Sequence, residues 1–274
     1  MTATPFCDLD ALAAAIPDGA KLAVPNDPFG VAMAATRALV RRGVTRLHVV
    51  CVPTSGIQAD VLIGAGSVAT IETSAVALGE YGTAPRFAAA LGNGSLRILD
   101  GTCPAIHAGL QASQKGLPFM PVRGILGSDL LTQRADWTII ENPFAPEDRL
   151  VAVRAIAPDI ALFHAPCADR DGNVFIGRSR DLLTMAQASR ASFVTVEEIA
   201  AGSLLEDRER SAGVIPAIYV TRIATARRGA WPLGLPGRYD PDSAALGRYA
   251  RAAKTGEGFR AWLDEWLAPE VAGA

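Results

Sequence analysis

The run KLAVPNDPFGVAMAATRALVRRGVTRLHVVCV, Lys21 to Val52, decides the fold. Lys21 to Pro25 reads as a short strand, and Asn26-Asp27-Pro28 supplies a cap and an N1 proline for the helix that follows. That helix runs through Ala38 and Leu39 to Arg41-Arg42, whose positive charge suits a C-terminal dipole, and Gly43 stops it. Arg46 to Val52 is then apolar on both faces, as a strand covered from both sides must be. Strand, helix and buried strand make a parallel unit.

Outward from this unit the alternation continues. Ala59 to Ile63 and Ala69 to Ser74 read as further strands, Ala84 to Leu91 as a helix and Ser95 to Leu99 as a strand. Pro104 to Lys115 reads as a helix ended by Gly116. Later strands fall at Trp137 to Ile140, Leu150 to Val153, Ile160 to His164, Val174 to Ile176 and Ser192 to Val196. Asp171-Gly172 between two of them is a hairpin signal, so part of the sheet should be antiparallel. Ser179 to Arg190 reads as a serine-capped helix, and Asp242 to Leu267 as two helices broken at Gly256 and Gly258. The expected fold class is α/β, an open and mostly parallel sheet flanked by helices with an antiparallel hairpin portion. With no internal repeat or long linker, residues 1–274 read as one domain with a helical tail from about 242.

Composition narrows the function. Half of the 274 residues are hydrophobic and a fifth charged, enough to bury a substantial core. Lys and Arg number 26 against 28 Asp and Glu, and no basic run occurs, so nucleic acid is not an expected partner. Met1 to Asp10 lacks a basic and apolar leader, and no apolar run reaches the ~20 residues that span a bilayer, so the expected location is the cytoplasm, away from membrane. Cys7, Cys51, Cys103 and Cys167 are scattered, which fits reduced thiols rather than disulfides.

Several residues invite a chemical reading. Gly64-Ala65-Gly66 lacks the third glycine of a dinucleotide loop and suits a tight turn. His48/Cys51 and His164/Cys167 share a metal-like spacing; on a strand His48 and Cys51 would face opposite ways, while the second pair sits at a strand end around Pro166 where the geometry is freer, and satisfied, partly buried polar groups are the default reading of both, so no metal is expected. No Gly-x-Ser-x-Gly elbow is present. Cys103 precedes Pro104 at a helix start, a place that favours a thiolate, though a small apolar cap residue is the default reading there. Glu80, between Gly79 and Tyr81-Gly82, could approach a substrate closely, or else cap the next helix or pair with Arg86. Arg123 could clasp a substrate carboxylate in two hydrogen bonds, or serve a structural pair with Asp129 or Asp136. Ser128 could donate to a carbonyl, or form a turn.

The stretch from Gly79 to Phe87, continuing through Gly116-Leu117-Pro118-Phe119-Met120-Pro121-Val122-Arg123-Gly124 to Ser128-Asp129, resembles the A (alpha) subunit of class I coenzyme A transferases of the glutaconate type. Pro158 to His164 with Ala168 to Asn173, Phe193 to Ile199, and the prolines and glycines from Ile215 to Gly237 resemble further segments of that subunit in the same order. The resemblance implies an enzyme subunit moving CoA between a thioester and a small carboxylic or dicarboxylic acid. It implies a partner B (beta) subunit that carries the nucleophilic glutamate, and no cofactor beyond the CoA thioester itself. Glu80, Arg123 and Ser128 would line the acyl pocket, with Glu80 the one weak catalytic candidate of this chain. The Asn26-Asp27-Pro28-Phe29-Gly30 turn departs from the glycine-rich turn of that family. Two alternatives accompany this reading: a thioester or ring-opening hydrolase of the same fold, with an acidic residue near Asp100, and a non-catalytic ligand-binding subunit.

Overall fold

The computed structural model describes residues 5–268. The reading of the first residues as leaderless therefore falls partly, at 1–4, outside the described residues, as does the end of the tail at 269–274. In chain order the elements are α1 (Leu9–Ala14), β1 (Lys21–Pro25), α2 (Met33–Arg42), β2 (Leu47–Val52), α3 (Ile57–Gly64) and β3 (Val68–Thr73). There follow α4 (Pro85–Gly92), β4 (Arg97–Asp100), α5 (Cys103–Gln114), β5 (Phe119–Val122), α6 (Leu130–Gln133), β6 (Trp137–Glu141) and β7 (Arg149–Arg154). The rest comprises β8 (Ile160–Ala168), β9 (Val174–Phe175), α7 (Arg180–Ala188), β10 (Ala191–Ile199), β11 (Val214–Ile215), β12 (Arg222–Thr225), α8 (Ser243–Ala252) and α9 (Gly256–Leu267).

Seven strands pair in parallel in the order β12-β10-β8-β1-β2-β3-β4. The Asp171-Gly172 turn makes its hairpin, pairing β9 antiparallel to β8 and β11 to β9. Asp169 holds that turn by accepting from the backbone of Asp171 and Asn173 and from the Asn173 amide. A second sheet, β5-β7-β6, is antiparallel throughout.

Alternate residues of each central strand enter different cores, as the pleat requires. Leu22, Val24, Val49 and Cys51 pack under α1 to α4, α8 and α9, whereas Ala23, Val50 and Val52 pack under α5 and α7. The small sheet packs Trp137, Val151 and Val153 against Ala105 of α5. The helices after β1 and after β8 lie on opposite faces, so the crevice between those two strands is a topological switch point, where open α/β sheets take ligands.

Gly43 ends α2 in the left-handed region at φ 75°, where a side chain would be strained. Three local readings are corrected. Residues 59–63 belong to helix α3, not to a strand. The whole of Ile57 to Ile63 is buried, and a short helix covered all round has the same apolar run as a covered strand. Pro28 does not start α2; it follows a cis peptide in the loop, and α2 begins at Met33 behind Ala32. Ser179 precedes α7 but makes no capping hydrogen bond.

Candidate functional site

The carboxyl ends of β1 to β4 gather polar groups that no regular structure requires. After β1, Asp27 reaches the start of α3 and its Oδ2 accepts the Ile57 N–H at 3.2 Å. Its Oδ1 is buried without a hydrogen-bond partner. Burial pushes this carboxyl up to about 7 against the lowering effect of that one hydrogen bond. The approach needs Gly56: a Cβ there would lie 2.1 Å from Asp27 Oδ2 and 2.8 Å from the Ala77 carbonyl. Beneath it Cys51 is fully buried, and its thiol is pushed up to about 12 by desolvation.

After β3, the Ser74 hydroxyl donates to the Pro53 carbonyl at 2.9 Å and lies 3.1 Å from Cys103 Sγ. Cys103 opens α5 and is exposed; Thr102 caps the helix by accepting the Ala105 N–H at 3.3 Å. Glu80 sits on a 3-10 turn, Gly79–Tyr81, that is tied to α8 by the Tyr81 hydroxyl donating to the Ser243 carbonyl at 3.0 Å. The carboxylate is exposed and, among the described residues, neither caps α4 nor pairs with Arg86. In this chain alone Glu80 is therefore not desolvated; anything that covers it must come from outside.

Arg123 and Ser128 occupy the connection from β5 to α6, beside the small sheet. The Arg123 fork is engaged in two hydrogen bonds with Asp148, one of them at 2.8 Å, and not with Asp129 or Asp136. The Arg123 hydrogen bonds, then one from Asn142, hold Asp148 at about 2. Ser128 Oγ accepts the Leu130 N–H at 3.2 Å, a turn contact. Arg123 and Ser128 thus share the β5–α6 connection, while Glu80 lies in the β3–α4 connection of the large sheet, with no hydrogen bond to either among the described residues.

Sequence reasoning passed over two buried networks. Arg134, from α6's end, is 1% exposed; it donates to Glu72 at 2.7 Å and to Asp136 at 2.8 Å, and stacks 4.2 Å from the Trp137 ring. Burial alone would raise Glu72, but contact with His48 and the charges of Lys21 and Arg134 outweigh it and hold the carboxyl at about 2. Farther along the sheet, both ring nitrogens of buried His164 are occupied, by Thr195 at 2.8 Å and by Glu197 at 2.7 Å. Glu197 also accepts from Arg228 N–H, Gly229 N–H and the Tyr239 hydroxyl. These contacts override its desolvation and bring it down to about 2. Neither His-x-x-Cys pair forms a ligand set, and among the described residues no group of three or more His, Cys, Asp or Glu is placed to hold a metal. No helix among them is long and apolar enough to cross a membrane.

The sequence pattern of the family described as Coenzyme A transferase matches residues 8–226. The chain is 32% identical to the A subunit of glutaconate CoA-transferase from Acidaminococcus fermentans over 255 residues, covering 85% of this chain and 78% of the relative. It is 29% identical to the A subunit of 3-oxoadipate CoA-transferase from Pseudomonas knackmussii, covering 91% and 88%. With the cholesterol ring-cleaving hydrolase IpdA subunit of Mycobacterium tuberculosis the identity is 30%, covering 86% and 83%. The crystal structure of glutaconate coenzyme A-transferase from A. fermentans superposes with a TM-score of 0.88 at 29% identity, over 96% of this chain and 89% of the other.

Proposed function

The chain belongs to the coenzyme A transferase family, and we propose that it acts as the A subunit of a two-chain enzyme moving CoA from a thioester to a small carboxylic or dicarboxylic acid. The observation that carries this reading is the length of the match: similarity to the A subunit of the glutaconate enzyme runs through both sheets. The chemistry is acyl transfer through a carboxylate. A glutamate carboxylate attacks the thioester carbonyl and expels the CoA thiolate, leaving a mixed acyl–glutamyl anhydride; the thiolate then attacks the glutamyl carbonyl, releasing the donor acid and leaving a glutamyl-CoA thioester, and the acceptor carboxylate collects CoA by the same two steps in reverse. That chemistry calls for no metal or redox group.

In this reading the nucleophile is on the B subunit. Glu80, exposed on its glycine-flanked turn, is presented for the partner to cover and lines the acyl pocket. Ser128 and Arg123 face the acid, and Arg123 exchanges Asp148 for the substrate carboxylate, a like-for-like replacement of one bidentate pair by another. Remote binding of the CoA body supplies the energy that the thioester exchange uses.

The test is to incubate the two-chain enzyme with its acyl-CoA alone, digest the product, and locate the CoA adduct by mass spectrometry. An adduct on a partner glutamate is the expected result. An adduct on Glu80 would move the nucleophile to this chain, and no adduct with no CoA exchange between acids would reject the transferase reading. The likeness to the ring-cleaving hydrolase subunit favours one second reading, in which water resolves the intermediate. Asp100, whose Oδ1 accepts the Gly101 N–H at 2.8 Å at the end of β4, is its acidic candidate. Free CoA and acid appearing without an acceptor acid would support it.

A further inference from the structure

The turn that follows β1, residues 26–29, is anchored at both ends. Behind it Pro25 closes β1 in register with Val52, and ahead of it the Gly30 carbonyl accepts the His164 N–H at 2.6 Å. Gly30 leaves the turn in the left-handed region at φ 82°, and a Cβ there would stand 2.5 Å from the His164 carbonyl. Between the anchors the turn closes on itself, the Phe29 N–H donating to the Asn26 carbonyl at 2.9 Å, with Pro28 and Phe29 exposed. One side chain ties it to the start of α3. Asp27 accepts the Ile57 N–H at 3.2 Å, the single hydrogen bond of that carboxyl among the described residues.

The groups that receive this carboxyl come from three elements, and none is cationic. From α3 come the Ile57 N–H and Gly56, whose Cβ would lie 2.1 Å from Asp27 Oδ2. From beyond β3 comes the Ala77 carbonyl, 2.8 Å from the same point. From β2 comes the fully buried Cys51. Burial above all, and after it the charges of Asp27 and Glu72, raise the Cys51 thiol against its contacts with Thr73 and Ser55. The titratable groups around Asp27 are thus a thiol and a second carboxylate, and among the described residues no Lys, Arg or His pairs with it. Asp27 Oδ1 and, at the end of the same β2 loop, Ser55 Oγ are both buried without a hydrogen-bond partner.

A neutral carboxyl in this place leaves one oxygen unpartnered. An ionised one would leave a whole charge on a single neutral donor, beside two acidic groups and away from water, which is far less favourable. The turn offers the charge a way out, because its outer residues already face solvent and one hydrogen bond is all that must break. We propose that residues 26–29 form a pH-operated latch, shut over the start of α3 while Asp27 keeps its proton and open, with the carboxylate in water, once the proton is lost. Burial, opposed by the Ile57 hydrogen bond, sets the carboxyl at about 7, so the latch is shut below neutrality and opens above it. Opening frees the Ile57 N–H and the first turn of α3 at the carboxyl end of the sheet. The inference does not rest on the transferase reading.

Amide hydrogen exchange on the full chain reads the latch locally. Rates are taken from about pH 5.5 to about pH 9 and expressed as protection factors, which remove the intrinsic rise of exchange with pH. The protection of the Phe29 and Ile57 amides should fall at least about tenfold between about pH 6 and about pH 8.5, while that of the β8 and β10 amides stays constant. Asp27→Asn keeps an acceptor for the Ile57 N–H and cannot ionise, so its protection at both amides should not change with pH. Asp27→Thr, which cannot ionise either, serves as the second variant should the asparagine chain fail to fold. Constant protection at Phe29 and Ile57 in the parent would overturn the proposal. So would the same fall in a variant that cannot ionise, which would assign the event to another group. A fall shared equally by β8 and β10 would replace the latch by a loss of global stability.

Discussion

At the residue scale, three carboxyl-bearing or carboxylate-seeking side chains are open to direct test. Glu80→Ala should lower kcat/KM of the two-chain enzyme by about tenfold or more, some 1.4 kcal/mol of transition-state stabilisation, with an unchanged melting temperature because the side chain is exposed. Unaltered kinetics would leave Glu80 a turn residue. Arg123→Lys should raise the KM for the acid more than that for the thioester, since lysine lacks the planar fork, and should cost almost no stability at so exposed a pair. Equal effects on both substrates would remove Arg123 from the acyl pocket. Asp27 makes a prediction about pH. Its folded value, about 7, lies above the unfolded value near ~3.9, so unfolding releases its proton at intermediate pH. Its contribution is fully present below about pH 4, is lost as pH rises through 7, and amounts to at most about 4 kcal/mol. Asp27→Asn should therefore gain stability over the parent as pH rises from 4 to 8, read as a difference in urea midpoints. A pH-independent difference would mean that Asp27 is ionised in the fold.

At the element scale, the segments that bear the site are short and held by specific contacts. Helix α3 contributes its first N–H to Asp27, and the two elements can meet only across Gly56. Gly56→Ala should destabilise by about 2 to 3 kcal/mol, because the nearest atoms are a carboxylate and a backbone carbonyl that cannot both move away. A chemical-denaturation midpoint equal to the parent's would show that the loop after β1 yields. Deeper in the same helix Asp60 accepts from Tyr249 at 2.6 Å and from Phe87 N–H at 2.7 Å, tying α3 to α8 and α4. Burial, opposed by those hydrogen bonds, still raises the Asp60 carboxyl above its ordinary value.

At the scale of the whole molecule, the two sheets are joined by one buried ionic knot. Arg134 follows α6, yet its guanidinium meets Glu72 on β3 and the carbonyl of Asp100 at the end of β4. Arg134→Ala should cost about 3 to 5 kcal/mol, because it leaves Glu72 buried with only Lys21 and His48 beside it. Glu72→Gln in the same background should recover part of the loss, the signature of a coupled pair. Additive losses would mean that the stacking of Arg134 on Trp137, rather than its charge, joins the sheets.

Local pattern was enough for much of this protein. Alternating apolar strands and capped helices, the glycine at 43 and the Asp171-Gly172 turn specify a parallel sheet with a hairpin, because each is decided by neighbours within a few residues. The ordered segments from Gly79 to Gly237 likewise sufficed to resemble the family to which the chain belongs. What local pattern could not decide was set by contacts distant in sequence. Residues 59–63 are covered on every side, so their apolar run carries no period that separates helix from strand. Arg123 took Asp148, 25 residues away, rather than the nearer Asp129 or Asp136, and Arg134 took Glu72, 62 away, as well as the adjacent Asp136. Asp27 kept the Ile57 N–H on one oxygen and was buried with the other unpartnered, and the arginines of α2, the β12 loop and α8 came to face one cavity, only when separate elements closed on each other. Burial and charge at a site are properties of the assembled surfaces, and no single stretch of chain contains them.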